Sequence, residues 1–129
     1  MTWEQVKEMH ANGFTIGSHT VHHTPLTELT NDQVTAELTN SSQMIEQEIG
    51  EKPRFFAYPT GAYNDEVRHL VQYAGYKMAF TVRYGQADSD SNLCSVERIP
   101  IFRTQHTFRS FFIRVNAAPI LQRLGLIRN

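Results

Sequence analysis

The chain has 129 residues, with 12 lysines and arginines against 13 aspartates and glutamates, a formal charge of −1 and 40% apolar residues. These values predict one soluble, near-neutral domain over residues 1–129, without the basic surface typical of nucleic-acid binding. No apolar run approaches the roughly 18 residues of a membrane-spanning helix. Cys94 is the single cysteine, which excludes an internal disulfide and a cysteine-rich zinc site.

Capping residues predict where the first helices begin and end. Thr2 can cap a first helix that stops near Gly13. Thr30, followed three residues later by Gln33, is typical of a capping box. Apolar residues at helical spacing then predict a long helix over 32–49.

Two more helices are predicted further along the chain. Asn64 can cap a helix that ends at Gly75. A last amphipathic helix is expected over 107–124, with a bend at Pro119 because proline breaks the helical hydrogen-bond ladder.

Short apolar segments predict strands over 14–17, 55–58, 76–82 and 98–101. Pro100 lacks an N–H, so the last of these is expected at an edge or a strand end. Helix and strand alternate with short connections, which predicts α/β units with mostly parallel strands. If the units form a barrel, functional residues lie at the carboxyl ends of the strands.

Three of the six histidines, His19, His22 and His23, fall within five positions after the first predicted strand. In one helical turn, His19 and His23 at i and i+4 lie about 5–6 Å apart at Cβ, which suits two ligands of one divalent metal. His22 at i+3 is a geometric competitor. Catalytic zinc also needs a third protein ligand, usually a carboxylate, and an open position. The spacing alone leaves open whether these histidines bind metal or only cap a strand.

The surrounding residues 13–26 resemble the metal-binding motif of the polysaccharide deacetylases, the carbohydrate esterase family 4 enzymes. That motif has His, then Ser or Thr, then two variable residues, then a second His. His19, Thr20 and His23 match it position by position. The resemblance implies that His19 and His23 are zinc ligands, that Thr20 supports the loop by hydrogen bonding, and that His22 occupies a variable position.

Residues 56–64, Phe-Ala-Tyr-Pro-Thr-Gly-Ala-Tyr-Asn, are similar to the aromatic–proline motif of the same family. That motif forms one wall of the substrate groove and offers a backbone N–H to the tetrahedral oxyanion, a contact worth roughly 10²–10³ in rate. The resemblance implies that Tyr58, Pro59 and Thr60 form this wall, and that Tyr63 binds substrate.

Two positions depart from the family pattern. Many members have Arg where Ala57 stands, to orient the catalytic base, and most have Tyr where Thr60 stands. Arg54 is a candidate substitute for the absent Arg. Arg98 is a candidate brace for a catalytic carboxylate, although a surface or strand-end ion pair is the simpler explanation. The resemblance extends over nearly the whole chain through two later strand-like segments, 75–82 and 98–101.

The family hydrolyses N-acetyl or O-acetyl groups of polysaccharides, using zinc to polarise the carbonyl, a carboxylate base and a general acid. The base and the third zinc ligand are adjacent aspartates in a Thr-Phe-Asp-Asp strand before the histidine motif, and this sequence contains no such pair. The acidic residues that precede His19 are Glu4 and Glu8, both on the first predicted helix. His106 is a candidate general acid outside any family motif. The aspartates of this sequence are expected at helix starts or in loops: Asp32, Asp65, Asp88 and Asp90.

The expected fold is α/β, a partial (β/α) barrel of the polysaccharide deacetylase type without its opening strands, because 129 residues fall short of the roughly 250 of a full barrel. An open half-barrel exposes an edge strand, so we expect a homodimer or association with a missing N-terminal half. The N-terminus shows no secretion signal, whereas the resemblance implies an extracellular or cell-envelope location for the intact enzyme.

Three functions remain open at this point. The first is a metal-dependent deacetylase that uses Zn²⁺ or another divalent metal on a cell-wall polysaccharide or exopolysaccharide. The second is a catalytically inactive remnant that binds carbohydrate or a partner. The third is a structural domain in which the histidines are incidental.

Overall fold

The computed structural model describes residues 1–85, 87, 89, 91–99, 101, 107–117, 120 and 124–125. Within them, the α-helices are α1 Trp3–Ala11, α2 Asn31–Ile49, α3 Asp65–Tyr73 and α4 Phe108–Phe112. The strands are β1 Phe55–Ala57, β2 Met78–Tyr84 and β3 Val96–Arg98. Short 3₁₀ turns lie at Leu26–Glu28, Pro59–Gly61 and Leu93–Ser95, and a π-helical turn follows α4 over Ile113–Ala117.

Reciprocal capping bonds set the start of the first two helices. At α1, the hydroxyl of Thr2 accepts from the N–H of Gln5, while the Gln5 side chain accepts from the N–H of Thr2. Thr30 and Gln33 repeat this arrangement at α2. Each box satisfies two N–H groups that have no partner inside the helix. The predicted caps at both helices are therefore confirmed.

The sheet is parallel and follows the order of the chain. β1 pairs with β2 and β2 pairs with β3, with Phe56 opposite Ala79 and Phe80 opposite Val96. Ser18 adds a fourth parallel element through a single bridge to Phe56. Sequential parallel neighbours joined by helical connections are the pattern of an arc of a (β/α) barrel. The predicted α/β fold, a partial barrel with parallel strands, is confirmed.

The predicted strand over 14–17 is wrong. Pairing with β1 is confined to Ser18, whose N–H donates to the carbonyl of Phe55 at 2.8 Å and whose carbonyl accepts from the N–H of Ala57 at 2.9 Å. The N–H of Phe14 is bonded to a carbonyl in the last turn of α1. The segment is therefore held by the helix at one end and by β1 at the other.

The predicted strand over 98–101 is displaced, because β3 begins earlier. Val96 is 4% exposed and pairs with Phe80, whereas Ile101 is 47% exposed. Burial of Val96 against β2 sets the start of the strand, and apolar alternation in the sequence does not reveal this. Pro100, on which the prediction of an edge position rested, lies outside the described residues.

The predicted last helix, over 107–124, is described in pieces: α4, the π-helical turn after it, and a helical residue at Ile120 whose carbonyl accepts from the N–H of Leu124 at 3.1 Å. Thr107 caps α4 by accepting from the N–H of Ser110 at 3.2 Å, and helical structure continues through the π turn. The Tyr84 hydroxyl donates to the carbonyl of Arg114, whose guanidinium lies 5.0 Å from the Tyr84 ring. This contact joins the helical segment to β2. Pro119, where a bend was expected, lies outside the described residues.

The hydrophobic core lies between one face of the sheet and the helices α2 and α3. Phe56 in β1 is 1% exposed, while its neighbours Phe55 and Ala57 alternate to the opposite face and are half-buried. That opposite face is open. The core consists of Leu26, Val34, Leu38, Phe56, Tyr58, Val67, Val71, Tyr76, Ala79 and Cys94.

No helix among the described residues is long and apolar enough to cross a bilayer.

Gly61 follows β1 in a turn that leaves no room for a side chain. Its φ is +76°, and a Cβ at this position lies 2.3 Å from Val82 Cγ2 and 2.7 Å from the Val82 nitrogen. We predict that Gly61→Ala lowers the free energy of unfolding by about 2–4 kcal/mol, through overpacking added to left-handed strain. Urea denaturation measures this loss.

Gly50, the residue that ends α2, provides the matched control. Its φ is +77°, but no atom lies within 4 Å of the position of a Cβ. Gly50→Ala therefore adds backbone strain alone, about 1–2 kcal/mol. Equal losses at the two glycines would contradict the overpacking explanation.

Candidate metal and oxyanion site

The ring of His19 is held by the neighbouring strand. His19 follows the bridging residue Ser18, and its Nδ1 lies 2.7 Å from the carbonyl oxygen of Ala57, the last residue of β1. A carbonyl oxygen can only accept, so Nδ1 carries the proton and Nε2 keeps its lone pair. Metal-binding histidines use this arrangement, in which one nitrogen donates to a protein acceptor and the other is left for the metal.

His23 brings a second imidazole next to the first. The ring centroids of His19 and His23 are 4.8 Å apart, with an angle of 77° between the rings. The N–H of His23 donates to the hydroxyl of Thr20 at 3.0 Å, inside the same loop. The two rings converge although residues 19–23 form no helical turn, because Thr20 and His23 have left-handed backbone angles.

Positive φ angles mark both predicted motifs. Among the described residues, the non-glycine residues with positive φ are Thr20 at +66°, His23 at +58° and Thr60 at +56°. Each costs about 1–3 kcal/mol and persists only where surrounding contacts impose it, a situation found most often at functional sites. All three fall in the histidine loop or the aromatic–proline turn.

His22 is bonded to a carboxylate of α2 that the sequence analysis did not single out. Its Nδ1 lies 2.5 Å from Glu37 Oε1, and Glu37 Oε2 accepts from the N–H groups of Val21 and His22 at 2.8 and 3.1 Å. A signal for this residue was present in the sequence, since Glu37 stands three positions after Val34 on the buried side of α2. A charged residue at such a position requires a partner.

Burial opposes ionisation of Glu37, but the hydrogen bonds from the His22 ring and from the two backbone N–H groups outweigh it. The pKa of the Glu37 carboxyl therefore lies below its ordinary value. The carboxylate is the form that accepts these three bonds.

The three residues predicted to form the groove wall differ in their backbone hydrogen bonds. The N–H of Tyr58 donates to the carbonyl of Phe80 at 3.0 Å, and Pro59 has no N–H. Thr60 is exposed, and its N–H has no acceptor within the described part of the chain. Of the three residues predicted to form this wall, Thr60 is therefore the one that can offer an N–H to an oxyanion.

The side chain of Tyr58 serves the core. It is 1% exposed, and its hydroxyl donates to the carbonyl of Cys94 at 2.6 Å. Burial raises the pKa of this hydroxyl well above its ordinary value, so it stays protonated. Tyr63 stacks on the Tyr58 ring with centroids 5.1 Å apart, and the Arg83 guanidinium lies 4.8 Å from the Tyr63 ring. Tyr63 is half-buried at the edge of this aromatic pair.

The structure does not bring the two candidate arginines to the histidines. Arg54 precedes β1, at the end of the strand opposite to Tyr58, and forms an exposed ion pair with Glu51 at 3.9 Å. Arg98 in β3 donates from Nε to the carbonyl of Thr81 at 2.8 Å, which ties it to β2. Among the described residues, neither arginine contacts a carboxylate beside the histidine pair.

Two open pockets meet at His19. One of about 440 Å³ lies on the open face of the sheet and is lined by Phe55, Ala57 and Phe80 as well as His19. The other, of about 390 Å³, is lined by His19 and Thr20 together with apolar side chains of α1 and α2. The histidine pair is therefore reachable from the open side of the sheet.

Within the described residues, no third His, Cys, Asp or Glu joins the histidine pair in a metal-binding group. Glu4 and Glu8 lie on α1, and Asp32 and Asp65 lie in the first turns of α2 and α3, as predicted. Three other candidates, Asp88, Asp90 and His106, lie outside the described residues. Two imidazoles suit zinc, so the pair fits two positions of a zinc centre and leaves the remaining positions to other ligands.

The lowered pKa of Glu37 predicts how stability depends on pH. A carboxyl whose pKa is lower in the folded state stabilises the protein above its unfolded pKa, and the contribution is lost as the pH falls through the folded pKa. We predict that urea denaturation shows a loss of stability from about pH 4.5 downwards, and that Glu37→Gln reduces this loss. An unchanged pH dependence in the variant would contradict the assignment.

The sequence matches a known protein family over a region that includes the histidine loop. The sequence model of the family described as polysaccharide deacetylase matches residues 1–79. The Bacillus subtilis protein YxkH is 32% identical over 101 residues, which are 78% of this chain and 36% of that protein. Chitin deacetylase 1 of Cryptococcus neoformans is 29% identical over 89 residues, 69% of this chain and 19% of that protein.

Solved structures agree with these matches. The Streptococcus pyogenes deacetylase PplD, in complex with acetate, superposes with a TM-score of 0.78 at 30% identity over 81% of this chain and 46% of that one. A polysaccharide deacetylase from Bacillus cereus gives 0.80 at 28% identity, over 90% of this chain and 37% of that one. The chain therefore spans less than half the length of these relatives. On the match over residues 1–79, it belongs to the polysaccharide deacetylase family.

Proposed function

We propose that this chain supplies the metal-binding and oxyanion-binding parts of a hydrolase that removes N-acetyl, or O-acetyl, groups from a polysaccharide. The observation that carries the proposal is the convergence of His19 and His23, whose ring centroids are 4.8 Å apart beside an open pocket. Family membership supports the reaction class. The acetate in the Streptococcus pyogenes relative and the chitin deacetylase among the relatives support an N-acetylated polymer as substrate.

His19 and His23 are the residues that would hold a zinc ion or another divalent metal. The bond from His19 Nδ1 to Ala57 leaves Nε2 as the ligand atom, and the Thr20 hydroxyl supports the backbone of His23. When bound, such a metal polarises the acetyl carbonyl and lowers the pKa of a water molecule. The protein residues orient the site and leave it open to the polymer.

Thr60 is the proposed oxyanion donor. Thr60 follows β1 by three residues, at the same edge of the sheet as His19, and its N–H has no acceptor among the residues that the structure describes. A hydrogen-bond donor that is already in place when negative charge develops stabilises the transition state without any rearrangement of the protein, and such donors usually make the largest contribution to the rate. Tyr63, three residues further on, is proposed to contact the sugar, because its ring lies at the edge of the Tyr58 pair and is half-buried.

The carboxylate base and third ligand are proposed to come from outside residues 1–129, either from an N-terminal half of the barrel that associates with this chain or from a second copy of this chain. Both backbone groups of Ser18 face β1, so those of Gly17 and His19 face the other edge. The apolar pocket between α1 and α2 lies at that edge. A strand added there would stand next to His19.

The proposed substrate is a cell-wall polysaccharide or exopolysaccharide, and the proposed place of action is therefore the cell envelope or the extracellular space. A second function has a specific observation in its favour. No metal-binding group of three residues is found within the described residues, which would also suit an inactive remnant that binds carbohydrate or a partner.

The histidine pair is tested by metal binding. We predict that His19→Ala and His23→Ala each weaken zinc binding at least about tenfold, because each removes one of two ligands. Isothermal titration calorimetry measures the affinity. His69→Ala, which changes an exposed histidine on α3, is the matched control and should bind zinc as the unaltered chain does. Equal affinity in all three variants would favour incidental histidines.

The source of the carboxylate is tested by separating molecular species. Size-exclusion chromatography with light scattering gives the mass of each species, and each fraction is assayed for acetate release from N-acetylglucosamine oligomers. We predict turnover in associated species and none in the isolated 129-residue chain, because the proposed base is supplied by an associated N-terminal half or by a second copy. A monomer that releases acetate would contradict this source, and zinc binding without turnover in any fraction would favour the remnant.

A further inference from the structure

The loop that carries the histidines is tied to α2 by one carboxylate. Glu37 Oε2 accepts from the N–H groups of Val21 and His22 at 2.8 and 3.1 Å, and Oε1 lies 2.5 Å from Nδ1 of His22. These contacts join residues 15 or 16 positions apart in the chain. Hydrogen bonds to an ionised group are about twice as strong as neutral ones. The Glu37 carboxylate is therefore a strong anchor for the loop.

The two proposed ligands are positioned in different ways. His19 is oriented by β1, because its Nδ1 donates to Ala57. In the described part of the chain, His23 makes no such bond to the sheet, and its place depends on the loop between the two histidines. That loop holds Thr20 and His23 at positive φ. Such angles persist only where contacts outweigh their cost, and Glu37 supplies such contacts from outside the loop.

His22 stands next to His23 and offers a competing imidazole. Its side chain is 73% exposed, so packing does not hold it, whereas the Glu37 side chain that binds it is 12% exposed. With Nδ1 bonded to Glu37, the His22 ring is held on the side of α2. The ring that meets His19 is then that of His23, at a centroid distance of 4.8 Å.

We propose that Glu37 is a positioning residue that selects His23, rather than His22, as the partner of His19 in metal binding. This inference rests on the proposed function, because it assumes that the pair binds a metal. Glu37 does not touch the metal in this proposal. It acts by holding the backbone of Val21 and His22 and by occupying the ring of His22.

The first experiment follows which histidine nitrogens bind zinc. The 129-residue chain, labelled with ¹⁵N at its histidines, is titrated with zinc chloride, and the chemical shifts of the ring nitrogens are recorded by NMR. In the unaltered chain, the nitrogens of His19 and His23 should shift while those of His22 stay in place. In Glu37→Ala, those of His22 should shift as well, and zinc affinity should fall about 10–100-fold, as is typical when a residue that orients a ligand is removed.

Two further variants separate positioning from general destabilisation. Glu37→Gln keeps one carbonyl oxygen for the backbone N–H groups and should retain more zinc affinity than Glu37→Ala. Glu46→Ala removes a carboxylate of the same helix whose side chain is 43% exposed and pairs with Lys52, and should bind zinc as the unaltered chain does. Equal losses in Glu46→Ala and Glu37→Ala would overturn the selection role.

Amide hydrogen exchange tests the anchor without metal. The N–H groups of Val21 and His22 should exchange faster in Glu37→Ala than in the unaltered chain, while amides in the middle of α2 keep their protection. If amide exchange in Glu37→Ala is the same as in the unaltered chain, the role of Glu37 is overturned. The same follows if zinc still shifts only the nitrogens of His19 and His23 in that variant. In both cases the proposed metal site itself stands. An unaltered chain in which zinc moves neither His19 nor His23 would instead overturn the metal site of the proposed function, and with it this inference.

Discussion

The pairing of one residue with β1 positions the whole candidate site. The backbone bonds of Ser18 with Phe55 and Ala57 place His19 at the carboxyl end of the neighbouring strand, where its ring reaches the Ala57 carbonyl. The Ser18 hydroxyl is also bonded to Ser41 of α2 at 2.8 Å, inside the core. Strand, helix and histidine loop therefore meet at a single buried serine, which is 2% exposed.

Strain and anchoring are linked in this site. In the loop from Thr20 to His23, these two residues have left-handed backbone angles, which are uncommon for residues other than glycine and are least favourable for a β-branched residue such as threonine. Hydrogen bonds from the loop itself and from Glu37 hold it in this shape. A loop whose shape is set by its own hydrogen bonds needs less ordering when a ligand binds, which lowers the entropic cost of binding.

The helices could be predicted because their signals are local. Thr30 and Gln33 lie three residues apart, and their reciprocal bonds form wherever the chain begins a helix there. The strands were less predictable, since β3 begins at Val96 only because that residue is buried against Phe80. The role of Glu37 also escaped the sequence, because its partners lie 15 and 16 positions away.

The sequence by itself determined the class of fold, the positions of the helices and the two motifs, since spacing, caps and motif residues are properties of short segments. The tertiary structure decided which partners the polar groups of the motifs have. The N–H of Tyr58 bonds to Phe80, that of Thr60 has no acceptor in the described part of the chain, and His22 is bonded to Glu37. The physical reason is that an N–H group donates to one acceptor at a time, and these acceptors come from distant parts of the chain.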